Sequence, residues 1–145
     1  MWTLKGKKAL VTGGTKGIGL AITKEFLDLD CEVLVVARNT KSILGKLRNS
    51  ANLFTHEGDL NDINFRADLV KKIFENWGRL DVLVNNVGTN IRKKFVEYSQ
   101  EEIRTVFETN LFSMLQLTHA CYPLLQKSGS ASIINMASVA GYIDV

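Results

Sequence analysis

Short apolar runs alternate along this chain with segments whose apolar residues recur every three or four positions. Five of these runs are rich in Val, Leu and Ile, and they cover residues 8–13, 31–37, 52–58, 81–88 and 132–138. Several are apolar without alternation, which is typical of strands covered on both faces of a parallel sheet. The pattern therefore predicts five buried parallel strands.

Helical periodicity marks the segments between the strands. One helical segment follows the first strand at residues 20–27, and a second spans residues 63–77. In the second, apolar residues at spacings of three and four predict one buried stripe, formed by Leu69, Val70, Ile73, Phe74 and Trp77.

A longer helix is predicted from residue 99 to about residue 121. Ser99 and Glu102 have the spacing of a capping box at its start. Pro123 indicates that the helix ends or bends nearby. One apolar stripe is expected along it, consisting of Ile103, Phe107, Asn110, Met114, Leu117 and Cys121.

Alternating strands and helices predict the α/β class, with right-handed crossovers and an open, doubly wound parallel sheet of the Rossmann type. The sequence contains no repeat, low-complexity tract or linker, so residues 1–145 are assigned to one domain. No apolar run approaches the ~20 residues that span a bilayer, and no secretory signal is recognisable, so a cytoplasmic protein is expected.

Charge and cysteine content exclude two further classes of function. The formal net charge is +3 with scattered basic residues, which argues against a nucleic-acid partner. Cys31 and Cys121 lie far apart without metal-ligand spacing, so we expect no metal and two buried, reduced thiols.

A glycine-rich segment, "TGGTKGIG" at residues 12–19, joins the first strand to the first helix. Glycine permits a tight turn and lets a phosphate approach the backbone, and the helix that follows offers unpaired N–H groups to an anion. A merely structural turn is the alternative. In this setting between strand and helix, the pattern predicts a nucleotide-binding loop comprising Gly13, Thr15, Lys16, Gly17, Ile18 and Gly19.

The loop reads Gly-x-x-x-Gly-x-Gly after Thr12 and differs from the Gly-x-Gly-x-x-Gly of most dinucleotide folds. Together with "GDL" at 58–60, "NNVG" at 85–88, Asn110 and the serine of "MAS" at 136–138, it resembles the short-chain dehydrogenase/reductase family. "LKGKKALVTGGTKGIG" and "YPLLQKSGSASIINMAS" are most similar to its tropinone-reductase-like branch.

The end of the second strand predicts the cofactor. In dinucleotide folds an acid there binds the ribose 2′-hydroxyl of NAD, whereas an arginine favours the 2′-phosphate of NADP. This chain has Ala37 and Arg38 and no acid, with Lys16 in the glycine loop. Ordinary surface cations are the alternative, but the pair at these two positions predicts NADP(H).

The resemblance also implies roles for residues on the third and fourth strands. Asp59 and Leu60 are expected to contact the adenine, and Asn86, Val87 and Gly88 to lie along the adenosine ribose through backbone atoms. For Asp59, capping of a helix that begins near Asn61 is the competing role.

The family transfers a hydride between the nicotinamide and a ketone or secondary alcohol. By resemblance, Ser138 hydrogen-bonds the substrate oxygen and Asn110 helps to hold a water in the proton relay. Asn110 as a satisfied core amide, and Ser138 as an ordinary loop serine, are the alternatives. The family's Tyr-x-x-x-Lys would follow about a dozen residues after the serine, and Tyr142, only four positions past Ser138, does not replace it.

These features together suggest the cofactor-binding, N-terminal part of a single family domain, whose sheet is truncated after the fifth strand. The family commonly runs to about 250 residues as one domain, so we expect the natural polypeptide to continue; otherwise the fifth strand would be an exposed sheet edge. The resemblance also implies a small-molecule substrate and a homo-oligomer, dimer or tetramer. The alternative is a non-catalytic or degenerate NADP-binding module that ends at Val145.

Overall fold

Five parallel strands form the centre of the structure, in the spatial order β3-β2-β1-β4-β5. The structure is a computed structural model that describes residues 2–47 and 50–138. The strands are β1 (Lys8–Thr12), β2 (Glu32–Ala37), β3 (Leu53–Glu57), β4 (Val82–Asn85) and β5 (Ser132–Asn135). All five predicted runs are therefore strands, and the last residues of several runs lie in the loops that follow.

Helices connect consecutive strands, as the α/β class requires. They are α1 (Gly17–Asp28), α2 (Lys41–Lys46), α3 (Ile63–Trp77), α4 (Gln100–Phe107) and α5 (Ser113–Ser128). A 3₁₀ turn at Phe95–Glu97 precedes α4, and a π-helical turn at Glu108–Phe112 joins α4 to α5. Within the described residues, no helix is long and apolar enough to span a membrane.

Two hydrophobic cores cover the two faces of the sheet, as expected for a doubly wound fold. On one face Leu10 and Leu83 pack with Leu69 of α3 and Leu117 of α5. On the other face the core contains side chains of β1, β2, β4, α1 and α2, namely Ala9, Val33, Val35, Val84, Ile22 and Ile43. Successive residues of a strand point to opposite faces, so the central strands have to be apolar throughout.

Strand β5 is not buried on both faces; it is the exposed sheet edge that was expected where the sheet is truncated after the fifth strand. Its four residues are exposed, Ile133 by 45% and Ile134 by 41%. Among the described residues β5 pairs only with β4, so it lies at the edge of the described sheet. The sequence pattern identified the strand correctly, but its burial depends on which elements pack against it.

Helix α3 has the predicted limits. The Asp62 side chain accepts a hydrogen bond from the Asn64 N–H at the start, and Gly78, in the left-handed region, ends the helix. Its buried stripe is narrower than predicted, because the Phe74 ring is half-exposed and lies beneath the Lys127 ammonium. The attraction between an ammonium group and the face of an aromatic ring offsets part of the cost of exposing that ring to water.

The long helix departs furthest from its prediction. The capping box of Ser99 and Glu102 is confirmed, but the π-helical turn adds a residue to one turn and shifts the phase of the helix. Consequently Leu117 and Cys121 are buried, whereas Phe107 and Asn110, in the first half of the predicted stripe, are exposed.

Pro123 does not end the helix, which continues to Ser128. A proline cannot donate to the carbonyl four residues earlier. Pro123 and His119 both lie on the exposed side of α5, where water can satisfy that carbonyl. Of the two predicted alternatives, the end of the helix near Pro123 is therefore wrong, and the bend stays a prediction.

Both cysteines are buried free thiols, as predicted. Burial raises the pKa of Cys31 to about 11 and that of Cys121 to about 12. Thiols with such pKa values are packing residues, because reactivity belongs to the thiolate. In the described part of the chain, no three His, Cys, Asp or Glu side chains are grouped closely enough to hold a metal ion.

A buried carboxylate joins β1, β4 and the end of α5. Asp81, 3% exposed, accepts hydrogen bonds from the Lys8 N–H (2.8 Å), the Ser128 hydroxyl (2.6 Å) and the Arg79 guanidinium (3.2 Å). Burial alone would raise the pKa of Asp81, but these hydrogen bonds outweigh it and hold the pKa below its ordinary value.

We predict that Asp81→Asn lowers the free energy of unfolding by about 1–3 kcal/mol at neutral pH, because an amide NH₂ then faces groups that are themselves donors. The folded-state pKa of Asp81 is lowered, so its stabilisation is present above the unfolded value near pH ~4 and is lost as pH falls through the lowered pKa. Urea denaturation across this range measures the effect.

The exposed Asp28→Asn substitution is the matched control and should leave stability unchanged at every pH. The difference between wild type and Asp81→Asn should shrink in acid. A difference that is absent at neutral pH, or that grows on acidification, would contradict the role assigned to this carboxylate.

Candidate functional site

A cleft of about 1150 Å³ lies at the carboxyl ends of the strands. It is bounded by the loops after β1, β2, β3 and β4 and by Thr105 and Thr109, on α4 and the π-helical turn. Eleven of the twelve residues predicted to bind nucleotide line this cleft, and the twelfth, Gly19, lies in the wall behind it. Open α/β sheets bind ligands at this edge.

The glycine loop needs its glycines for two different reasons. Gly13 and Gly17 have φ of +64° and +54°, in the left-handed region that favours glycine. At Gly19 the reason is contact: a Cβ there would lie 2.3 Å from the Gly13 carbonyl oxygen and 2.4 Å from the Asn86 side chain. Helix α1 can therefore approach the end of β1 only with glycine at this position.

The start of α1 faces the cleft without a side-chain cap. Lys16 is the N-cap residue, and its side chain makes no capping hydrogen bond. The first N–H groups of a helix have no partner within the helix, so they are available to an anion. Thr15, Gly17 and the exposed Ile18 line the cleft beside them. The donor set and the close backbone approach fit a diphosphate.

Thr12 organises the loop after β4, a role that our sequence analysis missed. Its hydroxyl accepts hydrogen bonds from the N–H groups of Asn86 (2.9 Å) and Val87 (3.1 Å) and donates to the Val84 carbonyl. The Asn86 side chain donates in return to the carbonyls of Thr12 and Gly13. The N–H groups of Asn86 and Val87 already donate to Thr12. A ligand beside residues 86–88 would therefore contact the remaining backbone atoms of this segment, such as its carbonyl groups.

Three cationic side chains line one end of the cleft, namely Lys16, Arg38 and Lys41. None of them forms an ion pair with a carboxylate of the described residues. Lys41 and its neighbour Ser42 were not predicted, because α2 is too short to show helical periodicity. This end of the cleft is consequently electropositive.

Glu57, at the end of β3, is engaged by hydrogen bonds from Thr40. Glu57 pairs with Ala37 across β2 and β3, and its carboxylate accepts from the Thr40 N–H (2.9 Å) and hydroxyl (3.2 Å). The hydrogen bond from the Thr40 backbone, followed by that from its hydroxyl, lowers the pKa of Glu57. The carboxylate thus holds the turn between β2 and α2.

Asp59 and Leu60 lie where the loop after β3 enters the cleft. One Asp59 carboxylate oxygen accepts from the Asn61 N–H at 2.9 Å. Helix α3 begins at Ile63 and is capped by Asp62, so the alternative in which Asp59 caps a helix starting near Asn61 is wrong. Asp59 is exposed and lines the cleft, and its carboxylate has acceptor sites left for a further partner.

Asn110 lies in the π-helical turn and is exposed, contrary to the predicted place in a buried stripe. Its amide oxygen accepts from the Thr89 N–H (2.7 Å), and its NH₂ group donates to the Thr89 carbonyl (2.9 Å). The extra residue of the π turn directs the side chain to the loop after β4. One acceptor site and one N–H of the amide are left for a further partner.

Ser138 lies at the same edge of the sheet. Asn135 pairs with Asn85 in parallel register, so Ser138 is three residues beyond β5, as Gly88 is three residues beyond β4. The strand that precedes Ser138, β5, is an edge strand of the described sheet. Tyr142 and Val145 lie outside the described residues.

This fold and this site define a class: a parallel, Rossmann-like α/β sheet with a glycine-rich loop between its first strand and first helix. Residues 7–145 match the family model described as short chain dehydrogenase. The chain belongs to the short-chain dehydrogenase/reductase family.

Its relatives include plant proteins of the predicted branch. A tropinone reductase homologue of Arabidopsis thaliana is 42% identical over 147 residues, covering 98% of this chain and 56% of that protein. A tropinone reductase homologue of Datura stramonium is 36% identical, covering 99% of this chain and 56% of that protein. The tropinone-reductase-like branch is confirmed, and the chain spans about half the length of these relatives.

Solved structures agree with this assignment. The active-site complex of Pseudomonas aeruginosa RhlG with NADP superposes with a TM-score of 0.91 at 30% identity, over 99% of this chain and 59% of that one. A short-chain dehydrogenase from Streptomyces avermitilis superposes with a TM-score of 0.86 at 29% identity, over 95% of this chain and 51% of that one.

We predict that Gly19→Ala lowers the free energy of unfolding by about 1–3 kcal/mol, because the added methyl group meets a backbone carbonyl that cannot move aside. Gly45→Ala is the matched control, since a Cβ there has open space and α2 gains a better helix former. Thermal denaturation of both variants measures the effect. If Gly19→Ala and Gly45→Ala denatured at the same midpoint temperature, the close packing of α1 on β1 would be contradicted.

Proposed function

We propose that this chain is the cofactor-binding part of an NADP(H)-dependent oxidoreductase, which transfers a hydride between the nicotinamide and a ketone or secondary alcohol. In this proposal residues 1–145 form the N-terminal part of a single family domain, consistent with the share of its relatives that the chain covers. The observation that carries the proposal is the joint presence of Lys16 and Arg38 on the cleft, with no acid at the end of β2.

Each part of the cleft has a proposed role in binding. The N–H groups at the start of α1 bind the diphosphate, and Lys16 and Arg38 bind the 2′-phosphate. Asp59 accepts from the exocyclic amine of the adenine, which also contacts Leu60. The backbone of residues 86–88 borders the adenosine ribose.

We assign two groups of this chain to the chemistry. Bound NADPH would supply the hydride. The Ser138 hydroxyl donates a hydrogen bond to the substrate oxygen as negative charge develops there. Asn110 fixes the Thr89 loop and can hold a water with its remaining N–H and acceptor site.

The proton donor of the family is a tyrosine with a lysine four residues later. Tyr98 and Tyr122 are followed at that distance by Glu102 and Gln126. We therefore propose that the acid and its lysine are supplied by sequence following residue 145 in the whole protein.

The proposed assembly is a homo-oligomer that packs through the long helix. Phe107, Leu111 and Leu115, on α4, the π-helical turn and α5, are exposed apolar side chains. Burial of such a face against a second copy would remove apolar surface from water.

We predict that NADPH binds more tightly than NADH, and that Arg38→Ala weakens NADPH binding by roughly tenfold or more through loss of a charge-assisted contact with the 2′-phosphate. Lys16→Ala should have a smaller effect of the same kind. Fluorescence titration of wild type and variants with both dinucleotides measures the dissociation constants.

Lys24→Ala is the matched control, because Lys24 is an exposed cation of α1 that does not line the cleft. It should leave both dissociation constants unchanged, and Arg38→Ala should leave that of NADH unchanged. Tighter binding of NADH by the wild type would refute the NADP(H) assignment.

We also predict that the 145-residue chain binds NADPH without oxidising it in the presence of ketones. A positioned proton donor contributes roughly 10²–10⁴-fold to such reactions, and the required tyrosine–lysine pair does not occur within residues 1–145. Absorbance of NADPH at saturating cofactor, with a panel of ketones, is the measurement. Ketone-dependent turnover by the purified chain would show that another group donates the proton.

A further inference from the structure

A buried arginine lies directly behind the part of the cleft proposed to hold the adenine. Arg66, on the second turn of α3, is only 7% exposed. Its guanidinium donates a hydrogen bond to the backbone carbonyl of Leu60, and its own N–H donates to the Asp62 carbonyl at 3.1 Å. The guanidinium contact therefore links α3 to the loop after β3, in addition to the ordinary i→i−4 hydrogen bond of the helix backbone.

Arg66 is not explained by stability alone. Among the described residues it forms no ion pair with a carboxylate, and a buried cation without a counter-ion carries a desolvation penalty. A well-packed apolar side chain at such a position is often as stabilising or more so. What a guanidinium adds is a strong, directional, charge-assisted hydrogen bond to one particular carbonyl.

Leu60 is held from both sides as a result. Its side chain is 5% exposed and belongs to the core that contains Leu69 and Ile73, while its carbonyl is held by Arg66. The preceding residue in α3, Phe65, fills the space behind Gly58, where a Cβ would lie 2.1 Å from the Phe65 ring. Consecutive residues of α3 thus shape the whole segment from Gly58 to Leu60.

We infer that Arg66 is a positioning residue for the nucleotide. It lies outside the cleft lining and acts through Leu60, whose fixed backbone sets the wall against which the adenine packs and the direction of Asp59 beside it. This inference rests on the proposed NADP(H) function and adds a residue that controls affinity for the adenosine end of the cofactor.

The test compares Arg66→Met with Arg66→Lys, using three probes: NADPH, adenosine 2′,5′-bisphosphate and reduced nicotinamide mononucleotide. Arg66→Met should weaken the binding of NADPH and of adenosine 2′,5′-bisphosphate by about tenfold, as expected for loss of a hydrogen bond from a charged group. The same substitution should change the dissociation constant of reduced nicotinamide mononucleotide, which lacks the adenosine, by less than about twofold. Arg66→Lys keeps a cationic donor and should restore most of the affinity.

Val33→Ala is the matched control, because it destabilises the protein through buried methyl groups of the other hydrophobic core, which does not include Leu60. It should lower the melting temperature and leave all three dissociation constants unchanged. If Arg66→Met does not fold, Arg66→Gln, which is polar but shorter, replaces it with the same expected pattern.

Hydrogen exchange on the wild type provides a measurement that needs no variant. Adenosine 2′,5′-bisphosphate should slow exchange at the Asn61 and Asp62 amides together, because both donate hydrogen bonds to Asp59 in the loop that Arg66 holds. Exchange at these two amides that does not change with the ligand would count against the inference.

The outcomes separate the inference from the proposed function. Equal weakening of all three probes in the folded Arg66 variants, or no weakening, would make Arg66 a structural residue and overturn the inference. Failure of the wild type to bind NADPH would instead overturn the proposed function.

Discussion

The approach of α1 to the end of β1 is the constraint on which the site depends. Gly19 lies so close to the Gly13 carbonyl that no other residue fits, and this contact brings the N–H groups of the first helical turn over the strand end. Asn86 closes the other side by donating to the carbonyls of Thr12 and Gly13. The backbone at this end of the cleft is therefore fixed by close packing at Gly19 and by the side-chain amide of Asn86.

The acids near the cleft accept hydrogen bonds from neighbouring N–H and hydroxyl groups, whereas its cations are not paired with carboxylates that the structure describes. Glu57 is occupied by the N–H and hydroxyl of Thr40, and Asp59 accepts from the Asn61 N–H. Lys16 and Arg38 have no carboxylate partner among the described residues. A phosphate therefore meets cations whose charge is not already neutralised.

The features that the sequence predicts well are those determined locally. The strand runs and the limits of α3 follow from the periodicity of apolar residues, and the glycine loop follows from its place between a strand and a helix. The predicted buried stripe of the long helix is wrong at Asn110, because the spacing of apolar residues does not reveal a π-helical turn. The roles of Thr12 and Arg66 were not predicted. Each side chain contacts backbone groups of another segment, and the residue type alone does not show which groups these are.

The two candidate catalytic residues depend on strand β4 for their common position. Asn110 binds Thr89, four residues beyond Asn85, and Ser138 follows the strand that pairs with β4 at Asn85 and Asn135. The side chains of that pair are also hydrogen-bonded, at 2.8 Å, which fixes the register where it matters for the site. A slip of one residue would turn every β5 side chain to the other face and shift Ser138 along the edge of the sheet. The same strand supplies residues 86–88 to the cleft, so β4 sets the position of the proposed hydride donor relative to the groups proposed to bind the substrate.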